Sequence, residues 1–338
     1  MAFAIVYSEP VDPLTHLLSG PRAQRAFALR VVMDPPWSID VRDRAPLTLL
    51  AMLTGDASFV TGQVRVCLNP GDIAIVRGPA PYRLADDPNR EGLVVIHPGQ
   101  VCTTQDGEQV SISMTQGVRT WGNSPTGSTT MLIGTYESDA QIGAVVAAAL
   151  PPVAVIPAGG VDEALLRLLR DEISIDAPGQ GGTVDRLLDV VLVHALRSWA
   201  RDHPESATGW LAAGSDPVVS DALKLLHNAP SAPWTIGALA QRLSVSRATL
   251  AHRFRTSVGE PPITYLTRWR MLLAGELLSD PQRTTADIAD QVGYSSPFAL
   301  STAFKRHHGV SPSEYRRHRQ PPLNAQAGRS NQPTAQPQ

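Results

Sequence analysis

The last third of the chain contains one pattern of residues twice, with a period of about fifty residues. The first copy is Leu250, Phe254, Arg255, Gly259, Pro262 and Tyr265, and the second is Leu300, Phe304, Lys305, Gly309, Pro312 and Tyr315. A small residue and a turn precede the copies at matched places, namely Ala240 with Ser244 and Ala289 with Gly293. Repetition at this period is typical of a duplicated helical module. The internal layout favours a helix-turn-helix, so we expect the chain to bind DNA.

Start and stop signals give each copy two helices. Thr235 and Ser246 are predicted helix caps in the first copy, and Ser296-Pro297 begins the second helix of the other copy. At the turn of the second copy we expect Gly293 to have a positive φ, which only Gly or Asn should tolerate there. A long helix over about residues 263–278 joins the copies and would span ~24 Å. Two recognition helices could then lie about one DNA turn, ~34 Å, apart.

The outward faces of the two predicted recognition helices differ, although the buried positions match. The first face carries Arg247, Ala248, Ala251, His252 and Arg255, and the second carries Phe298, Ala299, Thr302, Lys305 and Arg306. The four basic residues among them are predicted to contact DNA phosphates, which position a protein on the duplex without reading its sequence. Arg253 stays ambiguous, because it would face either DNA or an acidic residue of a neighbouring helix.

Two stretches of this region carry a family pattern, within residues 216–318. They are WTIGALAQRLSVSRATLAHRFRTSVGEPPITYLTRWRMLLAGELL and TTADIADQVGYSSPFALSTAFKRHHGVSPSEYRRHR. The region resembles the AraC/XylS class of transcription regulators. That resemblance implies seven helices with two helix-turn-helix subdomains, bridged by the long helix. It implies promoter DNA as a partner, and RNA polymerase as a second partner if the protein is an activator.

The same resemblance implies which residues face DNA bases. They are Ala248, Ala251 and His252 in one groove and Phe298, Ala299 and Thr302 in the next. Relatives commonly have arginine at the positions of His252 and Thr302. Arginine reads guanine with two hydrogen bonds, which His and Thr cannot do. We therefore expect apolar contacts to thymine methyl groups and single hydrogen bonds.

Residues 1–140 are predicted to be rich in β-strands. Residues 47–53 form a continuous apolar run suited to a buried strand, and residues 64–68 alternate before the turn Asn69-Pro70-Gly71-Asp72. Short, closely spaced strands of this kind favour a barrel or a double sheet. Two apolar helical patterns follow, at 165–173 and 187–196. This hairpin either closes the core of its own domain or forms a homodimer contact.

The segment PGDIAIVRGPAPYRL lies in a region, about residues 12–202, that resembles the cupin-type ligand domain of many such regulators. The expected fold class is multidomain α+β, with a cupin-like barrel and helical hairpin followed by an all-α domain. A metal-binding cupin needs converging histidines. Tyr82 stands where one is expected, and His16, His97 and His194 are scattered. No metal, cofactor or catalytic residue is therefore predicted.

Two hypotheses concern what this domain senses. Trp37, Tyr82, Trp121 and Tyr136 are candidate walls of a small-molecule effector pocket, although each could be an ordinary core residue. Cys67 and Cys102, the two cysteines of the chain, raise the alternative of a thiol redox switch. Two other function classes stay open: a metal-dependent cupin enzyme with an appended DNA-binding module, and a DNA binder without effector control.

Charge separates the predicted domains. Residues 1–208 carry 23 acidic and 15 basic side chains, whereas residues 209–320 carry 8 acidic and 13 basic ones. A basic C-terminal module favours phosphate contact by that half. A boundary is predicted at 208/209, ahead of the helix start Asp216-Pro217, and residues 321–338 should be disordered. No apolar run is of membrane-spanning length and the start lacks a basic leader region, so we expect a cytoplasmic protein.

Overall fold

A computed structural model describes residues 26–111, 113–117, 119–136, 149–175, 177–205, 211 and 216–319. The predicted disordered tail, the predicted boundary at 208/209, His16 and the start assessed as a leader lie outside these residues. By their contacts the described residues form two units. One lies within residues 1–224 and 252–259, and the other lies within residues 225–251 and 260–338. The domain limits 1–208 and 209–320 stay a prediction.

The first unit is mostly β-structure. Its strands are β1 (Ala26–Met33), β2 (Ser38–Val41), β3 (Leu47–Thr54), β4 (Ala57–Thr61), β5 (Val64–Leu68), β6 (Ile73–Arg77), β7 (Tyr82–Ala85), β8 (Val94–His97), β9 (Val101–Thr104), β10 (Thr115–Gly117), β11 (Thr120–Gly122), β12 (Thr129–Tyr136) and β13 (Val153–Ile156). They form a seven-stranded sheet in the order β10-β11-β1-β12-β3-β6-β13 and a six-stranded sheet in the order β5-β4-β7-β2-β8-β9. The β-rich prediction for this region is confirmed.

The prediction of a barrel is wrong in one respect: the strands form two separate sheets, which do not join into a closed barrel. Each sheet is mixed: β1 pairs with β11 and β2 pairs with β8 in parallel, whereas the other pairs are antiparallel. The hydrophobic core lies between the sheets and includes Met131 and Leu50 from the large sheet and Phe59 and Leu84 from the small one. The double sheet that the strand spacing also allowed is the arrangement observed.

The predicted helical hairpin covers the other face of the large sheet. It consists of α1 (Glu163–Ile173) and α2 (Gln180–Asp202). A side chain at Gly134 of β12 would meet Leu188 of α2, whose Cδ2 lies 2.7 Å from the Cβ position. Helix and sheet therefore pack closely at that glycine. Because both faces of the large sheet are covered, β3 needs the continuous apolar run that its sequence has.

The outer face of the small sheet carries an ion pair whose carboxylate is buried and whose arginines are partly exposed. Asp40 of β2 is 6% exposed, and its Oδ1 lies 2.5 Å from Nε of Arg83 on β7. Arg42 also reaches this carboxylate, at 3.2 Å. Burial raises the pKa of Asp40, but the hydrogen bonds and charges of the two arginines lower it by more, so the net pKa lies below its usual value.

The remaining helices follow as predicted. They are α3 (Pro217–Asn228), α4 (Ile236–Arg242), α5 (Arg247–Val258), α6 (Pro262–Leu277), α7 (Thr285–Gln291), α8 (Pro297–His308) and α9 (Pro312–Arg319). Asp216 accepts from the backbone N–H of Val218 at 2.9 Å, which confirms the predicted start of α3. The bounds of α6 are close to the predicted long helix at 263–278. None of the helices in the described part of the chain is long and apolar enough to cross a membrane.

Candidate nucleic-acid interface

The first helix-turn-helix consists of α4 and α5. Thr235 accepts from the N–H of Ala238 at 3.1 Å, and Ser246 accepts from the N–H of Thr249 at 3.0 Å, so both predicted caps are confirmed. Ala240 is 2% exposed, as expected of a small residue where helices cross. Ser244 makes the turn with φ 56°. The matched turn of the first copy therefore also has a positive φ, although its residue is neither Gly nor Asn.

The second helix-turn-helix consists of α7 and α8. Thr284 and Asp287 form a reciprocal capping box at the start of α7, and Ser296 caps α8 by accepting from Ala299 N–H at 3.1 Å. Gly293 has the predicted positive φ, 75°. A Cβ atom there would also lie 2.5 Å from the carbonyl oxygen of Ser231. Glycine is thus required in this copy both by backbone conformation and by space.

The connecting helix α6 is held by buried polar contacts. Arg270 donates from Nε to the carbonyl of Pro230 at 2.7 Å and from Nη2 to that of Ala232 at 2.8 Å. Burial lowers the pKa of its guanidinium. Tyr265, whose pKa burial raises, shares a 2.7 Å hydrogen bond with His227, whose ring stacks on Trp269 at 4.3 Å. These contacts fix α6 to the end of α3 and to the segment that follows it.

The outer face of α5 is open to solvent. Arg247, Ala248, His252 and Arg255 are exposed, and Ala251 is half-buried. Leu250 and Phe254 on the opposite face are fully buried. Arg253 Nε lies 3.6 Å from the Asp216 carboxylate. This ion pair resolves the ambiguity of Arg253 in favour of an acidic neighbour.

The outer face of α8 differs in chemistry. Phe298 in its first turn is 81% exposed, far more than the other large exposed apolar residues of the described chain. Thr302, Lys305 and Arg306 are exposed and Ala299 is half-buried. The Thr302 hydroxyl donates to the carbonyl of Phe298 at 3.0 Å. With its proton used in this bond, the hydroxyl oxygen is available to accept a further hydrogen bond.

Three of the four predicted pocket aromatics share one core, and the fourth lies on another face of the large sheet. Trp37, Tyr82 and Trp121 belong to the core between the sheets. The indole Nε1 atoms of both tryptophans are buried without a hydrogen-bond partner among the described residues. Tyr136 lies outside that core. Its hydroxyl is buried on the helix side of the large sheet, where burial, Asp189 and Asp185 of α2 raise its pKa.

The two cysteines are at opposite edges of the six-stranded sheet, in β5 and β9. Five strand spacings of ~4.8 Å separate these strands by roughly 24 Å, whereas a disulfide needs Cα atoms within about 7 Å. A link between Cys67 and Cys102 in one chain is incompatible with this sheet, so a redox role would require each thiol separately. Cys67 is exposed and Cys102 is buried, and burial raises the pKa of Cys102. Within the described residues, no group of three or more His, Cys, Asp or Glu is placed to hold a metal.

Two core-facing apolar residues of the large sheet are less buried than their neighbours. Leu29 of β1 and Ile133 of β12 face the core from interior strands, yet both are only partly buried. Alternation along a strand predicts which side chains share a face, but it does not show where the two sheets separate.

Comparison with known proteins assigns both parts of the chain. The cupin family matches residues 12–201, and a helix-turn-helix domain family matches residues 239–318. A putative AraC-like transcription regulator of Streptomyces lividans is 31% identical over 317 residues, which cover 91% of this chain and 99% of that protein. Another, of Streptomyces antibioticus, is 42% identical over 176 residues, or 51% of this chain and 58% of that protein.

Among solved structures, the chain is similar to the DNA-binding domain of AdpA, a global transcriptional factor solved in complex with a target DNA. The identity is 31%, with 30% of this chain and 92% of that chain covered and a TM-score of 0.29. The two family matches and the relative that spans nearly the whole chain confirm both resemblances predicted from the sequence. The chain belongs to the AraC-like transcription regulators, with an N-terminal cupin domain and a C-terminal DNA-binding helix-turn-helix domain.

Proposed function

We propose that the protein reads specific promoter sequences through α5 and α8 and that a small molecule held by the cupin domain controls this binding. One observation carries the proposal for DNA. Each helix is anchored by a fully buried leucine and phenylalanine, while its opposite face is exposed. A recognition helix enters the major groove with such a face. Because its proposed target is promoter DNA, we expect the protein to act in the cytoplasm.

The exposed side chains favour particular bases. Phe298 offers an apolar ring that suits the methyl group of thymine. Thr302, which accepts while its proton is bonded to the carbonyl of Phe298, suits the amino group of adenine or cytosine, and His252 can make one hydrogen bond. Ala248, Ala251 and Ala299 add small apolar contacts. We therefore expect two different half-sites, with the one read by α8 rich in A·T pairs.

Phosphate contacts by Arg247, Arg255, Lys305 and Arg306 would supply most of the affinity. Four such contacts predict that log K falls against log salt concentration with a slope of about −3.6 for each bound protomer. The operator is first selected from random duplexes, and affinity is then measured by fluorescence anisotropy at several salt concentrations. Replacing Arg255 and Lys305 together by alanine should bring the slope to about −1.8.

A matched control tests whether this loss is specific to the proposed surface. Lys224→Ala removes an exposed cation that is paired with Asp221 at 2.8 Å, and it should leave the slope unchanged. An unchanged slope in the Arg255/Lys305 variant would contradict the assignment of these residues. His252→Ala and Thr302→Ala should change the selected half-sites, and an unchanged base preference would remove them from the base-reading set.

We further infer that residues 1–208 sense the effector and mediate a homodimer, and that residues 209–320 bind DNA. Leu168 of α1 and Val190 of α2 are 51% and 39% exposed, which supports the hairpin as a dimer contact. Light scattering of the wild type and of a Leu168→Glu/Val190→Glu variant tests this. A monomeric wild type at micromolar concentration would refute dimerisation. Contact with RNA polymerase would follow if the regulator activates transcription.

The proposal includes no enzymatic reaction, and the relatives named above are transcription regulators. Elemental analysis of the purified protein addresses the alternative of a metal-dependent enzyme. Stoichiometric zinc, iron or manganese would revive that alternative. Effector control itself is tested by operator affinity with and without a candidate ligand.

A further inference from the structure

The guanidinium of Arg247 packs against the other helix of its own helix-turn-helix. A Cβ atom added at Gly237, the second residue of α4, would lie 3.0 Å from Nη2, 3.1 Å from Nε and 3.2 Å from Cζ of Arg247. Apart from the glycine's own helix backbone and its adjacent residues, these three atoms are the nearest to that position. Arg247 is the first residue of α5, so its side chain reaches across the turn to the first turn of α4.

The backbone of α4 does not require glycine at position 237. The φ angle of Gly237 lies outside the left-handed region that favours glycine, unlike that of Gly293 at the turn of the second copy. Glycine inside a helix is less favourable than alanine, because it loses more conformational freedom on folding. The absence of a side chain is therefore what this position needs, and the guanidinium of Arg247 takes up the space.

The second copy of the repeat has neither member of this pair. Counted from the helix caps, Gly237 corresponds to Ala286 of α7, and Arg247 corresponds to Pro297 of α8. The alanine faces no such requirement there, because proline has no guanidinium to place against it. Within one chain, the glycine thus occurs in the copy that has the arginine and is replaced in the copy that lacks it.

The position of this guanidinium determines which part of DNA it can reach. Arg247 is exposed, and among the described residues it has no partner in an ion pair. When a helix-turn-helix binds DNA, the recognition helix enters the major groove and the first helix crosses the DNA backbone. Because α4 is the first helix of this copy, a guanidinium on its first turn lies on the side of the phosphates.

We propose that Gly237 is a positioning residue, which holds Arg247 out of the major groove and presents it to a DNA phosphate. This inference rests on the proposed function, in which Arg247 is one of four phosphate contacts. Residues at the start of a recognition helix otherwise contact base edges, and arginine there can bind guanine with two hydrogen bonds. The missing side chain of Gly237 thus makes the contact of Arg247 independent of base sequence.

The test measures operator affinity of the full-length protein by fluorescence anisotropy at several salt concentrations. Gly237→Leu fills the space of the guanidinium and should change the salt slope per protomer from about −3.6 to about −2.7, the loss of one phosphate contact. Arg247→Ala should change the slope by the same amount, and the double variant should show no further change. Additive changes in the double variant would overturn the proposal, because the two residues would then act separately.

Ala286→Leu is the matched control in the second copy. It places the same side chain at the corresponding exposed position of α7, where Pro297 replaces the arginine. The slope should stay at about −3.6, which separates displacement of Arg247 from steric effects of leucine near DNA. An equal change of slope with Ala286→Leu would overturn the proposal.

Gly237→Ala distinguishes positioning from a structural role. Its Cβ atom requires the exposed guanidinium of Arg247 to move, but alanine favours the helix. The variant should therefore unfold at a higher urea concentration than the wild type and yet bind the operator more weakly. Unfolding at a lower urea concentration would show that the glycine serves the fold, and it would overturn the proposal.

A scrambled duplex tests whether Arg247 contacts a phosphate or a base. Arg247→Ala should lower the affinities for the operator and for the scrambled duplex by the same factor, because phosphate contacts carry no sequence information. A larger loss on the operator would show that Arg247 reads a base in the wild type, which would overturn the proposal.

The salt slopes also separate this inference from the proposed function. If Arg247→Ala changes the slope but Gly237→Leu does not, the phosphate contact stands and the positioning role of Gly237 fails. If operator binding of the wild type does not depend on salt, the proposed function itself fails.

Discussion

Replacement of Gly293 by alanine tests the structural difference between the two copies most directly. Gly293 turns the chain between α7 and α8 with φ 75°. An alanine Cβ would lie 2.5 Å from Ser231 O and 2.9 Å from Nη2 of Arg270. Arg270 cannot move freely, since the same guanidinium holds the carbonyls of Pro230 and Ala232. The methyl group therefore disturbs both the turn and the anchor of α6.

The expected loss has two parts. A left-handed conformation costs an L-residue roughly 1–2 kcal/mol, and forcing an extra carbon into a filled space costs about 1–3 kcal/mol. Gly293→Ala should thus reduce the free energy of unfolding by about 2–5 kcal/mol. Gly309→Ala is the matched control, because Gly309 has φ 77° but nothing within 4 Å of its Cβ position. It should cost only the backbone part, about 1–2 kcal/mol.

Urea titration of the full-length protein, followed by circular dichroism at a helix wavelength, measures both losses. Ser244→Gly, at φ 56° in the first copy, should change the stability by less than about 1 kcal/mol, because relief of strain and added chain entropy oppose each other. Equal losses for Gly293→Ala and Gly309→Ala would refute the argument from space. A large loss of unfolding free energy for Ser244→Gly would refute the argument that the backbone angle φ alone determines which residues are tolerated at that turn.

Three further outcomes are expected. Thr302→Arg should shift one position of the selected half-site toward guanine, because arginine can contact guanine with two hydrogen bonds; a half-site that keeps its base there in repeated selection would contradict the placement of α8. Asp40→Asn should destabilise the fold by about 1–2 kcal/mol at pH 7, since it removes a charge-assisted hydrogen bond to Arg83, whose side chain is itself 32% exposed. Because the pKa of Asp40 in the folded protein is lowered, the wild type has this extra stability above pH ~4 and loses it as the pH falls through the lowered pKa. Urea titrations should therefore give the wild type and the variant the same free energy of unfolding in acid. Reaction with a thiol reagent should show one fast thiol, Cys67, and one slow thiol, Cys102, whose burial raises its pKa; a fast reaction in a Cys67→Ser variant would disprove that assignment.

The helices of the C-terminal region could be predicted from the sequence because caps are local chemistry. A hydroxyl at Thr235, Ser246 or Ser296 reaches an N–H only three residues ahead, so each signal is contained in a few residues. The pairing of Arg253 with Asp216 depends on how α3 and α5 meet, and no short window of sequence contains it. The positive φ of Ser244 was also missed, because in the first copy the fold imposes a conformation that local preference alone would not choose.

The N-terminal region shows where sequence patterns stop being sufficient. Alternation along β12 puts Tyr136 on the face opposite to Met131 and Ile133, but only strand pairing reveals that this face meets α2. The sequence therefore grouped Tyr136 with Trp121, whereas the fold separates them. The order of strands in each sheet arises from contacts between residues far apart in the chain, which hydrophobic periodicity does not encode.

The contacts of the basic residues in the C-terminal region show which of them are available to bind DNA. In residues 216–319, ion pairs occupy Lys224, Arg253, Arg268 and Arg283. Arg270 and Arg316 donate to backbone carbonyls and so serve the fold. The exposed cations at the four predicted phosphate positions, two on α5 and two on α8, have no ion pair with any described residue. Arg242 and Arg317 are also exposed without such a pair, so folding leaves unpaired positive charge on the two faces that carry the unmatched base-facing residues, although not on those faces alone. The repeated buried positions hold α5 and α8 in the same way, whereas the outer residues of the two helices differ. Both copies can therefore contact DNA phosphates, although each copy reads a different half-site.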